Sequence, residues 1–171
     1  MTGPTPYLVV IGPPGAGKSV LGKIVAKLLH VPFVDTDRRI AAKYGPIATI
    51  FSEHGEEWFR AAERIEVAHA LTERAVVALG GGAVVNPNTQ KELASARVVH
   101  VTVSPEAVDS RIQGSTRPLL LGGIESWKRI VAERKDVYER LATRTVDTSD
   151  RTARSIAHDL AEWVQNLEEG S

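Results

Sequence analysis

Gly12-Pro13-Pro14-Gly15-Ala16-Gly17-Lys18-Ser19 follows the apolar run Tyr7–Ile11 and precedes a stretch whose apolar residues recur at helical spacing. The octet has the form G-x-x-x-x-G-K-[ST]. Its flanks decide the fold. A short continuous apolar run reads as a strand buried on both faces, as in a parallel sheet. Leu21, Ile24, Val25 and Leu28 form one stripe with Lys23 and Lys27 outside it, so Lys18 to Leu29 reads as an amphipathic helix. Glycines between strand and helix let backbone N–H groups converge on phosphate oxygens, and the helix start adds its positive end. Lys18 is placed to reach the β- and γ-phosphates, and Ser19 to ligand Mg²⁺. The plain alternative is a Gly/Pro turn before a helix. The octet points to nucleotide binding and leaves the second substrate open.

Working outward, short apolar runs alternate with helical stretches. Strands are expected at Tyr7–Ile11, Pro32–Asp35, Ala75–Leu79, Arg97–Val103 and Thr145–Asp147. Helices are expected at Thr36 to Tyr44, Ile47–Phe51, Glu56–Arg74, Pro87 to Ser95, from Ser104-Pro105-Glu106 onward, at Trp127–Ala142 and at Thr152–Leu167. Gly45-Pro46 breaks the chain between two of them. This alternation predicts a single α/β domain over residues 1–171, a doubly wound, mostly parallel sheet with helices on both faces. Ligands of such sheets bind beyond the carboxyl ends of the strands.

Composition narrows the function. The 171 residues carry 21 basic and 21 acidic side chains, so the formal net charge of zero argues against a nucleic-acid or acidic-membrane surface. There is no cysteine, which excludes disulfides, thiolate metal sites and cysteine catalysis and fits a reducing cytoplasm. No apolar run has the length of a membrane span, and the first residues lack a signal-peptide pattern. A monomer is expected.

Four further features sit at the expected strand ends or beside them. Asp35 and Asp37 close Val34-Asp35-Thr36-Asp37; in extended chain they would point the same way, toward the phosphate loop. One would serve the metal shell and the other an acceptor hydroxyl; the alternative is that Asp35 or Thr36 caps the next helix. Arg60 and Glu63 share a helix face in Gly55-Glu56-Glu57-Trp58-Phe59-Arg60-Ala61-Ala62-Glu63, with an intrahelical salt bridge as the plain reading. Gly80-Gly81-Gly82 follows a strand, either as a tight turn or because the backbone must approach a ligand. Residues 112–123 are loop-like and hold Arg117-Pro118-Leu119-Leu120, the composition of a lid that brings a cation to transferring phosphate, or of an ordinary surface loop.

Together these motifs resemble the shikimate kinase family from the phosphate loop to Asp150. The resemblance implies the nucleoside monophosphate kinase fold, a five-stranded parallel sheet with a moving lid. It implies transfer of the ATP γ-phosphate to the 3-hydroxyl of shikimate, in aromatic amino-acid biosynthesis, with one Mg²⁺. On that likeness Gly15, Ala16, Gly17, Lys18, Ser19 and Val20 hold the phosphates. Ser19 sits on the metal with Asp35 behind it. Asp37 binds and deprotonates or orients the acceptor hydroxyl, and Arg60 and Arg134 grip the substrate carboxylate. Gly81, between Gly80 and Gly82, donates an N–H to a substrate hydroxyl. Arg117 reaches the phosphates, and Arg111 and Arg151 lie against adenine. This chain departs from the family pattern at Val20, at Lys135-Asp136-Val137 and at Thr152-Ala153 after Arg151, and it is short after Leu120. A gluconate kinase-like enzyme and a non-catalytic nucleotide-binding module are the competing readings.

Overall fold

A computed structural model describes residues 5–112, 120 and 122–171. Strand β1 (Leu8–Ile11) leads into α1 (Lys18–Leu29), β2 (Phe33–Asp35), α2 (Thr36–Tyr44) and α3 (Ile47–Ala70). Then come β3 (Val76–Ala78), a 3₁₀ turn at Ala83–Val85, α4 (Pro87–Leu93), β4 (Val98–Thr102) and α5 (Pro105–Ile112). The chain closes with α6 (Ile124–Leu141), β5 (Arg144–Asp147) and α7 (Ala153–Glu169).

The five strands form one sheet in the order β2-β3-β1-β4-β5, and every pairing is parallel. Strand residues alternate between two cores because successive side chains point to opposite faces. Leu8, Val10, Val99 and Val101 pack with Leu21 and Val25 of α1 and with Ile156 and Leu160 of α7. Val9, Ile11, Val77 and Val98 pack on the other face with Val67 of α3, Leu93 of α4 and Tyr138 of α6. Apolar residues at every position of β1 therefore feed both cores, which is why the run contains no polar break.

The order places β1 between β3 and β4, although β2 follows β1 in sequence. Two chain directions diverge at its carboxyl end, and the phosphate octet lies in that crevice. A Cβ on Gly12, whose φ is +150°, would collide with the Val101 carbonyl of the neighbouring strand. Only glycine permits this exit from the sheet.

The span of α3 from Ile47 to Ala70 is two helices meeting at Gly55, whose φ of 85° and ψ of 170° are not helical, so the expected break between them is present. Three differences from the expected pattern are local: one helix end, one helix start and the setting of Asp37. The span of α3 ends at Ala70 rather than Arg74. Helix α6 starts at Ile124, three residues before Trp127, directly after Gly123 at φ 69°. Helix α2 runs from Thr36 to Tyr44 as expected, and Asp37 therefore lies in its first turn and not on extended chain. The shared direction expected of Asp35 and Asp37 from strand geometry is thus replaced by a strand-end residue and a helical one. Most of the expected lid, including Arg117, lies outside the described residues.

Candidate active site

A cavity of about 550 Å³ opens at the carboxyl ends of the strands. Lys18, Ser19, Asp35 and Asp37 line one side of it, and Arg60 and Arg134 another. Residues from four separate stretches of chain thus reach one space.

The phosphate side is built from the octet. Gly17 takes a left-handed conformation (φ 92°, ψ 23°) to start α1, whose first turn has neither a side-chain cap nor an acidic residue. No carboxylate of its own first turn therefore competes with an anion at this helix start. Lys18 Nζ donates to the Pro13 carbonyl at 3.0 Å, which holds the cation over the loop. Outside contacts brace the loop backbone. Trp127 Nε1 donates to the Pro14 carbonyl (2.8 Å), Arg111 Nη1 to the Gly15 carbonyl (3.0 Å) and Thr148 Oγ1 to the Ala16 carbonyl (2.8 Å). Val20 points outward and is 60% exposed.

Asp35 caps α2 and also reaches the phosphate loop. Its Oδ1 accepts from the Arg38 amide at 3.1 Å and caps α2, while its Oδ2 accepts from Ser19 Oγ at 2.6 Å. The metal-side pair expected from sequence is therefore in contact.

The opposite side is charged and tightly packed. Arg60 Nη1 and Glu63 Oε1 are 2.7 Å apart, so the intrahelical salt bridge exists. It is not a surface pair, because Glu63 is only 3% exposed. Burial pushes the Glu63 carboxyl above the usual carboxylate range; Arg60 opposes this, Asp37 adds to it and Arg134 opposes it. Those four side chains feel one another across the cavity. Arg134 is 9% exposed, buried as a surface arginine would not be.

The glycine triplet fits between these groups. A Cβ on Gly80 would lie 2.5 Å from Asp37 Oδ1, and one on Gly82 would lie 2.5 Å from both Nη atoms of Arg60. Close approach of the Asp37 and Arg60 side chains, and not turn geometry alone, favours glycine here. The Gly80 amide donates to Thr36 Oγ1 at 3.2 Å, fixing the triplet to the start of α2.

The chain matches the shikimate kinase family model over residues 14–165. It belongs to the shikimate kinase family. The shikimate kinase of Thermobifida fusca is 44% identical over 160 residues, covering 91% of this chain and 93% of the relative. That of Mycobacterium avium is 45% identical over 151 residues, covering 85% and 86%. Among solved structures, the Acinetobacter baumannii shikimate kinase in complex with shikimate superposes with a TM-score of 0.87 at 29% identity, covering 94% of this chain and 93% of that one.

As a shikimate kinase family member the chain is a kinase, and the competing gluconate kinase-like and non-catalytic readings give way. Two expected nucleotide-side residues do not line the cavity. Arg111 is spent on loop carbonyls, and Arg151 Nη2 is paired with Asp159 Oδ2 and Ser155 Oγ, each at 2.7 Å. Three groups escaped sequence reasoning. Glu63 was legible only as a salt-bridge partner, since nothing local says that its face is buried. Trp127 and Tyr138 act on loops far away in sequence; Tyr138 lies one turn beyond Arg134 and closes the family's Arg-x-Pro-Leu-Tyr run, a signal that gives its place but not its partner.

Proposed function

We propose that this chain transfers the γ-phosphoryl group of ATP to the 3-hydroxyl of shikimate, giving shikimate 3-phosphate and ADP. The observation that carries the assignment is that Asp37, Arg60, Arg134 and the glycine triplet converge on the cavity that also holds Lys18 and Ser19. A phosphate loop and a pair of arginines suited to a carboxylate then line one cavity.

In this reading Arg60 and Arg134 bind the shikimate carboxylate, since guanidinium matches carboxylate in planar geometry. The triplet receives the ring hydroxyls. Asp37 accepts a hydrogen bond from the 3-hydroxyl, whose oxygen attacks the γ-phosphorus as the bond to the β–γ bridging oxygen breaks. The proton passes to Asp37 or to water. Lys18, with Arg117 from the lid, follows the charge on the moving phosphoryl group. Gly15, Ala16, Gly17, Ser19 and Val20 surround the phosphates, and Arg111 and Arg151 flank the base side.

The donor set fits Mg²⁺. The described residues contain no cluster of three acidic or imidazole side chains that could cage a metal. Mg²⁺ at phosphates keeps most of its waters and takes one or two protein oxygens. Ser19 Oγ, already hydrogen-bonded to Asp35, offers one such oxygen with a carboxylate behind it. Bound there, the ion would neutralise charge on the phosphates. No described helix is long and apolar enough to cross a membrane. A cytoplasmic monomer is the state proposed.

The test is ATP consumption with and without shikimate, with gluconate as the comparison acceptor. Turnover that requires shikimate is expected. Equal rates with gluconate, or hydrolysis indifferent to any acceptor, would overturn the assignment.

A further inference from the structure

Helix α6 buries Trp127, Arg134 and Tyr138 along one face. Each touches or lines a different part of the site. Trp127 bonds the Pro14 carbonyl, Arg134 lines the cavity, and Tyr138 bonds the glycine triplet. The last contact has no role in the mechanism above.

Tyr138 is 1% exposed, and its hydroxyl donates to the Gly81 carbonyl at 2.6 Å. Its ring stacks on His100 of β4, with centroids 5.0 Å apart and planes at 24°. The ring is therefore wedged between sheet and triplet and has little freedom to rotate away. The Gly81–Gly82 peptide that it holds is planar and trans, so the Gly81 C=O and the Gly82 N–H point in opposite directions. A peptide between two glycines has almost no intrinsic preference for one orientation. Neither residue carries a side chain that could impose one, and an added side chain would crowd its neighbours. A Cβ on Gly81 would lie 3.1 Å from Pro14 Cδ and 3.3 Å from Arg134 Nη1, and one on Gly82 would strike Arg60. The constraint must come from outside the triplet, and the Tyr138 hydroxyl supplies it.

We infer that Tyr138 is a positioning residue for the acceptor: its hydroxyl fixes the Gly81–Gly82 peptide at the cavity wall, one helical turn from Arg134, and so sets the glycine backbone against which the hydroxyls of the bound substrate lie. The inference rests on the shikimate kinase reading of the cavity. Burial pushes the Tyr138 hydroxyl up from its ordinary pKa, with Arg134 opposing, so the group stays a protonated donor through neutral pH.

Steady-state kinetics of Tyr138→Phe, which removes one oxygen, provide the test. KM for shikimate should rise about tenfold, as expected when the backbone against which the substrate lies is no longer fixed, with KM for ATP changed less than about twofold. Trp127→Phe removes the matching bond from the same helix face to Pro14 and should show the reverse split, with KM for ATP rising. A helix that merely supports the fold would move both constants alike in both variants. Equal changes, or an unchanged KM for shikimate in Tyr138→Phe, overturn the inference. If the wild-type protein does not phosphorylate shikimate, the functional reading fails instead, and the two failures are distinct. A second measurement needs no variant. In protein labelled with 3-fluorotyrosine, the fluorine resonance of residue 138 should shift when shikimate is added, and a resonance indifferent to shikimate overturns the inference.

Discussion

Ser19 Oγ donates a 2.6 Å hydrogen bond to Asp35 Oδ2, tying the phosphate loop to the end of β2 through the hydroxyl proposed to meet Mg²⁺. Asp35 also caps α2 through its other oxygen. Asparagine caps helices about as well as aspartate, so Asp35→Asn should keep the cap and lose the charge. Its melting temperature should stay near that of the wild type while the Mg²⁺ concentration needed for half-maximal rate rises. An unchanged metal dependence would leave Asp35 a cap only.

Asp37 should respond differently. It lies in the first turn of α2 but lines the cavity beside the triplet. Positioned bases contribute about 10²–10⁴-fold, and a loose phosphoryl-transfer transition state favours the lower end. Asp37→Asn should cut kcat by about 10²-fold with little change in ATP affinity. A variant that melts earlier yet turns over normally would remove Asp37 from the chemistry.

Lys18→Ala should remain folded, because Lys18 projects from the first turn of α1 into the cavity mouth and not into either core. It should lose most turnover, since no other octet side chain carries a cation to the γ-phosphate. Near-normal kcat in a folded variant would contradict the phosphate-loop assignment.

Arg60→Lys keeps a positive charge near Glu63 and loses the planar fork. KM for shikimate should rise far more than KM for ATP. Parallel changes in the two constants would reduce Arg60 to a helix salt-bridge residue.

The buried titratable groups predict opposite pH signatures. Glu63 has a raised folded pKa, chiefly from burial. Its contribution to stability is complete below the ordinary carboxylate pKa and is lost as pH rises through the folded value. Urea midpoints of wild type should therefore fall relative to Glu63→Gln as pH rises from about 4 toward neutrality. His100 is 7% exposed, its Nδ1 has no hydrogen-bond partner among the described residues, and burial lowers its pKa. Its contribution is present above the ordinary imidazole pKa and is lost as pH falls through the folded value. His100→Phe should flatten that acidic limb. A stability difference independent of pH would contradict either assignment.

Local order carries enough information to read the fold and much of the site. The octet between an apolar strand and an amphipathic helix sets the βα unit, and repetition of that unit predicts the parallel sheet. The period of apolar residues survives any tertiary arrangement, because a strand or helix must bury its own stripe. Aspartates at the end of β2 and glycines after β3 were legible for a related reason: ligands of such sheets gather at the carboxyl ends of strands. The geometry of Asp35 and Asp37 was less so, since Asp35 ends the strand while Asp37 belongs to the first turn of α2, where the two-residue alternation of extended chain no longer applies.

By itself the sequence determined the strand and helix inventory, the phosphate loop and the family motifs, since each depends on spacing along the chain. Only the tertiary structure decided which charges share a solvent-poor space. Arg60 and Glu63 look the same in sequence as any surface pair three residues apart, and burial against the glycine triplet makes Glu63 a raised acid. Likewise nothing in sequence joins Tyr138 to Gly81 or Trp127 to Pro14, contacts that span 57 and 113 residues. The physical reason is that desolvation and hydrogen bonding depend on distance in space, and crossover connections bring together loops that the chain keeps far apart.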